Sequence, residues 1–193
     1  MLLSDSDIHA RGPELVQPFN PAMVQPASID LRLDTHFLVA TFDPWIKVDP
    51  SQENPAMFKD IDVDPGGVFT LGPKEFALAS TYEKVTIPED LAGRFEGKSS
   101  LGRIGLFTHI TAGFIDPGFE GHITLELFNA LPVPMELHPG MKIGQLCFLP
   151  MLSNPETPYG GPKTGSHYQG QRGPTPSRSY MGFHQTDVWR GDV

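Results

Sequence analysis

Residues 93–129 read GRFEGKSSLGRIGLFTHITAGFIDPGFEGHITLELFN, a stretch written in strand and turn rather than helix. At its far end Ile123, Leu125 and Leu127 alternate with Thr124 and Glu126, the period-two pattern of a half-buried strand. The apolar trio faces a core, so the Glu126 carboxylate stands mid-strand on the opposite face. Just before it, residues 112–119 carry the turn chemistry of Asp116-Pro117-Gly118. At the near end Lys98, Ser99, Ser100, Leu101, Gly102 and Arg103 bring together an ammonium, two hydroxyls, a guanidinium and accessible backbone N–H groups, an anion site in outline. Each piece alone has an ordinary explanation, since cationic Ser/Gly loops are common and an outward Glu on a strand is usually a solvated residue.

The rest of the chain extends the same pattern. Twenty Gly and twenty Pro are spread through 193 residues, which indicates many turns, few long helices and an all-β architecture in one domain. The one helix expected runs from Asp5 to about Arg11, capped by Ser4, with Gly12-Pro13 as its stop. Short strands are predicted at 28–33, 37–42, 68–71, 76–81, 85–87 and 91–95, roughly the spacing of a sandwich or barrel. On the first of these, Asp30 and Arg32 share a face and are placed to pair. Residues 43–64 read as a polar excursion loop. Beyond the central stretch come 135–137 and a longer strand, 141–149, whose predicted common face is Met141, Ile143, Gln145, Cys147 and Leu149. Gln145 is the polar member of that face, set either for hydrogen bonding within the fold or for a ligand. From residue 154 the apolar periodicity ends, and by composition alone the tail reads as disordered.

Charge and cysteine content narrow the partners. A formal net charge of -9 lacks the basic footprint of a nucleic-acid polymer binder, yet a few local cations can still hold a free nucleotide. The single cysteine, Cys147, excludes an internal disulfide and suits a reducing compartment. No basic leader or long apolar run is evident, so the expectation is a soluble cytoplasmic protein without a membrane partner.

Taken together, KSSLGR (98–103), TAGFIDPGF (111–119) and GHITLEL (121–127) resemble the dCTP deaminase family, a branch of the trimeric dUTPase superfamily. The likeness extends through LLSDSDI (2–8), QPASIDLRL (25–33) and GQRGPTPSRSY (170–180). It implies a distorted jelly-roll or β-barrel of the dUTPase-like type with a short N-terminal helix, assembled as a homotrimer with active sites at subunit interfaces. It also implies a β domain over 1–153 and a tail over 154–193, of which about 159–180 closes as a lid over dCTP or dUTP.

The chemistry can be argued from the residues beside that resemblance. Zinc deaminases need His or Cys ligands with an H-x-E and P-C-x-x-C signature; one cysteine and no H-x-E leave no such site, so no zinc is expected. Hydrolytic deamination then needs a carboxylate to activate water and carry its proton, and Glu126 is the candidate. The resemblance gives Glu126 that role, adds Ser99, Arg103 and Asp116 to the catalytic set, and implies substrate contacts from Lys98 through Arg103, Asp116, Thr124, Leu125, Glu126, Gln145, Tyr159, His167 and Gln171. Relatives often carry lysine where this chain has His167, which weakens an expected phosphate contact. Gly113 and Phe114 in T-A-G-x-I-D resemble the bifunctional branch that continues from dUTP to dUMP, whereas T-A-H-R-I-D marks deaminases that stop at dUTP. Magnesium is expected through the triphosphate. The alternatives are a monofunctional dCTP deaminase and a non-catalytic nucleotide sensor of the same fold.

Overall fold

The computed structural model describes residues 1–41, 45, 47–53, 57–162 and 164–183. In chain order the elements are α1 (Asp5–Leu15), β1 (Val16–Gln17), β2 (Val24–Gln25), β3 (Ser28–Arg32), β4 (His36–Ala40), β5 (Phe58–Asp62), β6 (Phe69–Leu71), β7 (Phe76–Thr86), β8 (Leu91–Gly97), α2 (Ser99–Gly102), β9 (Leu106–Phe107), β10 (Phe114–Ile115), β11 (Glu120–Asn129), β12 (Met135–Leu137), β13 (Lys142–Pro150) and α3 (Tyr180–Phe183). One sheet runs β5-β4-β7-β11-β9 with β1 also paired to β7, a second runs β10-β8-β13-β3-β2, and β12-β6 form a separate ribbon. This is the expected all-β, distorted jelly-roll architecture. Phe37, Phe95 and Phe148 are among the largest fully buried side chains between the layers, each contributing roughly 1.5–3 kcal/mol by leaving water.

Several local expectations change. The helix passes through Gly12 and Pro13 to Leu15, because its buried stripe of Ile8, Gly12 and Leu15 follows helical spacing and packing carries it beyond the proline. Its start is as predicted: Ser4 accepts from the Asp7 N–H, and the Asp7 side chain accepts from the Ser4 N–H at 3.0 Å, a reciprocal cap. The excursion loop contains β5, paired in full with β4; its outward Lys59, Asp60 and Asp62 are typical of an edge strand and hide its alternation. The predicted strands 76–81 and 85–87 are one continuous β7 up to Thr86. Phe42, the predicted end of the strand at 37–42, lies outside the described residues, as do 184–193.

Asp30 and Arg32 do not pair with each other. Asp30 accepts from Lys98 at 2.6 Å and Lys142 at 2.9 Å, and Arg32 donates to the buried Glu83 at 2.6 Å. The predicted common face of β13 is also split. A register shift between Lys142 and Gly144 inserts one residue, so Ile143 is buried together with Leu146 and Phe148, while Gln145, Cys147 and Leu149 occupy the other, half-exposed face. A β-bulge reverses which parity faces the core, and no periodicity count across it can be right. Cys147 is half-buried there, and burial pushes its thiol pKa up.

Candidate active site

Glu126 sits on β11, opposite Leu78 of β7. The neighbouring Leu125 and Leu127 are fully buried, which fixes the parity that turns Glu126 outward, as the alternation predicts. The segment after β9 then grips it twice: the Glu126 N–H donates to the Thr108 carbonyl at 3.1 Å, and the Ile110 N–H donates to Glu126 Oε2 at 2.7 Å. One carboxylate oxygen is thereby held by a backbone amide, which orients the group without neutralising it. Leu125, expected among the substrate contacts, has its side chain wholly in the core; only its peptide groups remain for a ligand.

Glu126 lines a cleft of about 810 Å³. Ala112, Phe114, Asp116, Thr124, Tyr159 and Gln171 line it as well, so strand, turn and tail converge on one cleft. Gly113 stands at the adjoining β10-β8 contact: a Cβ there would lie 2.5 Å from the Phe95 carbonyl oxygen, and the Phe95 N–H donates to the Gly113 carbonyl at 2.8 Å. Its missing side chain therefore serves a close backbone approach.

The described part of the tail, residues 154–162 and 164–183, is tied to the β domain, contrary to its composition. Gly170 N–H donates to Glu120 O, His122 N–H donates to Gln171 O, and Thr175 N–H donates to Thr124 Oγ1. Gly121 allows this, since a Cβ would meet the Gln171 backbone at 3.1–3.2 Å. Gln171 Nε2 donates to the His122 carbonyl at 2.7 Å, while its Oε1 is buried with no partner among the described residues. The order comes from backbone pairing to β11, which apolar periodicity cannot register. His167 lines a neighbouring hollow of about 640 Å³ that shares Phe114, Asp116, Tyr159 and Tyr168 with the cleft; its carbonyl accepts from Arg178.

Parts of the cleft wall were not anticipated. Val48, Pro50, Glu53 and Phe58 from the β4-β5 excursion line it, beside Tyr168 and Ser179 of the segment expected as a lid. Ser179 Oγ donates to the Pro50 carbonyl at 2.7 Å, joining tail to excursion. The apolar residues Val48, Met57 and Phe58 within the excursion were the available signal.

The predicted residues do not all meet. None of Lys98, Ser99, Ser100, Leu101, Gly102, Arg103 or Gln145 lines the cleft. Residues 99–102 form one short helical turn with Arg103 as its C-cap. Lys98 donates to Asp30, and Gln145 Oε1 accepts from Ser28 Oγ at 3.2 Å. The phosphate-type groups thus lie apart from Glu126 on the same chain.

Fold and site together define an all-β protein, a two-sheet distorted jelly roll with a mid-strand carboxylate in a cleft lined partly by the tail. The model of the dCTP deaminase-like family matches residues 2–151, and the chain belongs to that family. It is 56% identical to a protein of Acidothermus cellulolyticus named "dCTP deaminase, dUMP-forming", over 97% of this chain and 100% of that one. A protein of the same name from Thermobifida fusca is 53% identical over the full length of both. Among solved structures, the 2'-deoxycytidine 5'-triphosphate deaminase from Agrobacterium tumefaciens matches with a TM-score of 0.60 at 23% identity, covering 76% of this chain and 48% of that chain, which supports the fold.

Proposed function

We propose that this chain converts dCTP to dUMP, ammonia and pyrophosphate, by zinc-independent deamination followed by hydrolysis of the triphosphate. The observation that carries the reading is Glu126, a carboxylate aimed into a cleft and held by a single backbone amide. Relatives over 50% identical along the whole chain bear the name of this reaction. In the first step water adds to C4 of cytosine while Glu126 takes its proton and delivers it to N3. A second transfer through the same carboxylate protonates the departing amine, and C4 keeps the oxygen as ammonia leaves. In the second step Asp116, which also lines the cleft, orients a water onto the α-phosphate, and pyrophosphate departs. Magnesium enters with the substrate as the ion of its triphosphate.

Gln171 and Thr124 contact the pyrimidine, Tyr159 the sugar, and residues 159–180 act as a lid over the β domain of 1–153. Lys98, Ser99 and Arg103 serve the phosphates of a nucleotide in a neighbouring copy, so the working unit is a homotrimer with composite sites. Two facts favour that assembly: residues 98–103 lie outside the cleft of their own chain, and the large apolar side chains Ile104, Phe107, Ile110 and Phe114 are each more than half exposed between loop and cleft, as surfaces awaiting a partner are. Among the described residues no helix is long and apolar enough to cross a membrane, and the cytoplasm, where free nucleotides are handled, is the proposed location.

The test is to supply the purified protein with dCTP and Mg²⁺ and resolve the products. Ammonia, pyrophosphate and dUMP in equal amounts are expected. Accumulating dUTP would make it a monofunctional deaminase, and tight binding without ammonia a sensor.

A further inference from the structure

One buried carboxylate takes no part in the chemistry above. Asp30 on β3 is 2% exposed, and each of its oxygens accepts from a different lysine, Oδ1 from Lys98 and Oδ2 from Lys142. A single cation would neutralise it. Two leave a surplus positive charge, one ammonium on each oxygen of the same carboxylate, an arrangement that an additional anion relieves. The other cations of this sheet are already matched one to one, Arg32 with Glu83 and Arg94 with Glu96.

The position of Lys142 is a product of the β13 bulge. The register shift sets Lys142 opposite Arg32 and Gln145 opposite Asp30, so both side chains emerge on the face that carries Asp30. Strict alternation would have sent them to opposite faces. The Lys142 side chain is 44% exposed and that of Lys98 23%. Each ammonium has three donors, of which Asp30 takes one, so both retain N–H groups for a ligand from solvent.

We propose that Lys142 is a further phosphate-binding cation, seated beside Lys98 by Asp30, which is a positioning residue for both. The proposal rests on the reading of residues 98–103 as the loop that serves a triphosphate. Its ligand is the polyphosphate tail, because the two ammonium groups offer positive charge and donors.

The test uses the full chain with Lys142→Met and Lys142→Arg, measuring dCTP turnover and competition by inorganic tripolyphosphate. In the Met variant the KM for dCTP and the Ki of tripolyphosphate should both rise about tenfold, the effect of one charge-assisted contact, with kcat changed by less than about twofold. The Arg variant should recover most of the loss. Unaltered KM and Ki, even with a lowered Tm, overturn the proposal, since Lys142 then only neutralises Asp30. An equal KM loss in both variants overturns it too. In the unsubstituted protein, tripolyphosphate should shield Lys142 from an amine-reactive ester as it shields Lys98; equal labelling with and without it overturns the proposal whether or not the variants fold. If the unsubstituted protein does not turn over dCTP at all, the function proposed above fails, and the inference with it.

Discussion

The cleft around Glu126 and the loop of residues 98–103 belong to one stretch of sequence but differ in completeness. The cleft gathers β11, the 108–116 segment, the β4-β5 excursion and the tail around one carboxylate. The hydroxyls and guanidinium of the loop lie outside that cleft, and its lysine is turned back onto Asp30. Adjacency in sequence therefore says little about which groups act on one ligand. Residues 98–103 lie outside the cleft that holds Glu126, and on the function proposed above a second copy would reunite the two groups, making activity a property of the assembly.

The largest expected effect tests both halves at once. Glu126→Gln should lower ammonia release from dCTP by about 10³-fold while nucleotide binding persists, because the amide keeps the shape and loses the proton shuttle. Arg103→Ala should be similarly inactive at low substrate for a different reason, the loss of phosphate contacts. Mixed and reassembled in equal parts, the two inactive proteins should regain about a quarter of the original activity, the statistical share of sites that combine an intact Glu126 with an intact loop from the neighbour. No recovery after verified subunit exchange would mean that each chain serves its own site.

A smaller effect is expected where the cleft meets the second sheet. At Gly113 a new Cβ would meet the Phe95 carbonyl oxygen, a backbone atom that cannot swing away. Gly113→Ala should cost about 1–3 kcal/mol of stability by overpacking, read by chemical denaturation. It should also displace β10 and with it Asp116, whereas Glu126 remains held by Ile110. The ratio of dUTP to dUMP among the products should therefore rise. An unchanged ratio would remove Gly113 from the choice between stopping at dUTP and continuing to dUMP.

The same contrast explains what was legible in the sequence. Glu126 could be placed because the buried Leu125 and Leu127 flank it, although the register shift between His122 and Thr124 leaves Ile123, expected on the core face, half-buried on the cleft wall; the N-terminal cap could be placed because Ser4 and Asp7 interact locally. β13 was misread because its bulge leaves no mark in the hydrophobic pattern, and β5 because an edge strand with charged outward residues resembles a loop. The tail was unreadable from composition: its order comes from main-chain bonds to Glu120 and His122 and from the contact of Ser179 with Pro50. Nor does spacing disclose that Asp30 is shared between two lysines, since Lys98 and Lys142 come from distant segments joined only by the fold. Local alternation was visible; long-range polar pairing was not.

The smallest expected effect lies away from both regions and serves as their control. Arg11 of α1 donates to both oxygens of Asp90 in the β7-β8 turn, at 2.7 and 3.1 Å, and this hydrogen-bonded guanidinium holds the Asp90 carboxyl below its ordinary pKa. A carboxylate whose pKa is lower in the folded than in the unfolded state adds stability above its unfolded value and loses it as pH falls through the folded one. The side chains are 29% and 54% exposed, so solvent screens the pair and Asp90→Asn should cost no more than about 1 kcal/mol near neutral pH. Denaturation curves of the two proteins should converge as pH falls below about 4, where the carboxylate begins to protonate. Ammonia release and complementation between Glu126→Gln and Arg103→Ala should be the same with either residue at position 90. A change in complementation would mean that the α1 corner shapes the contact between copies, and the two half-sites would then no longer account for it alone.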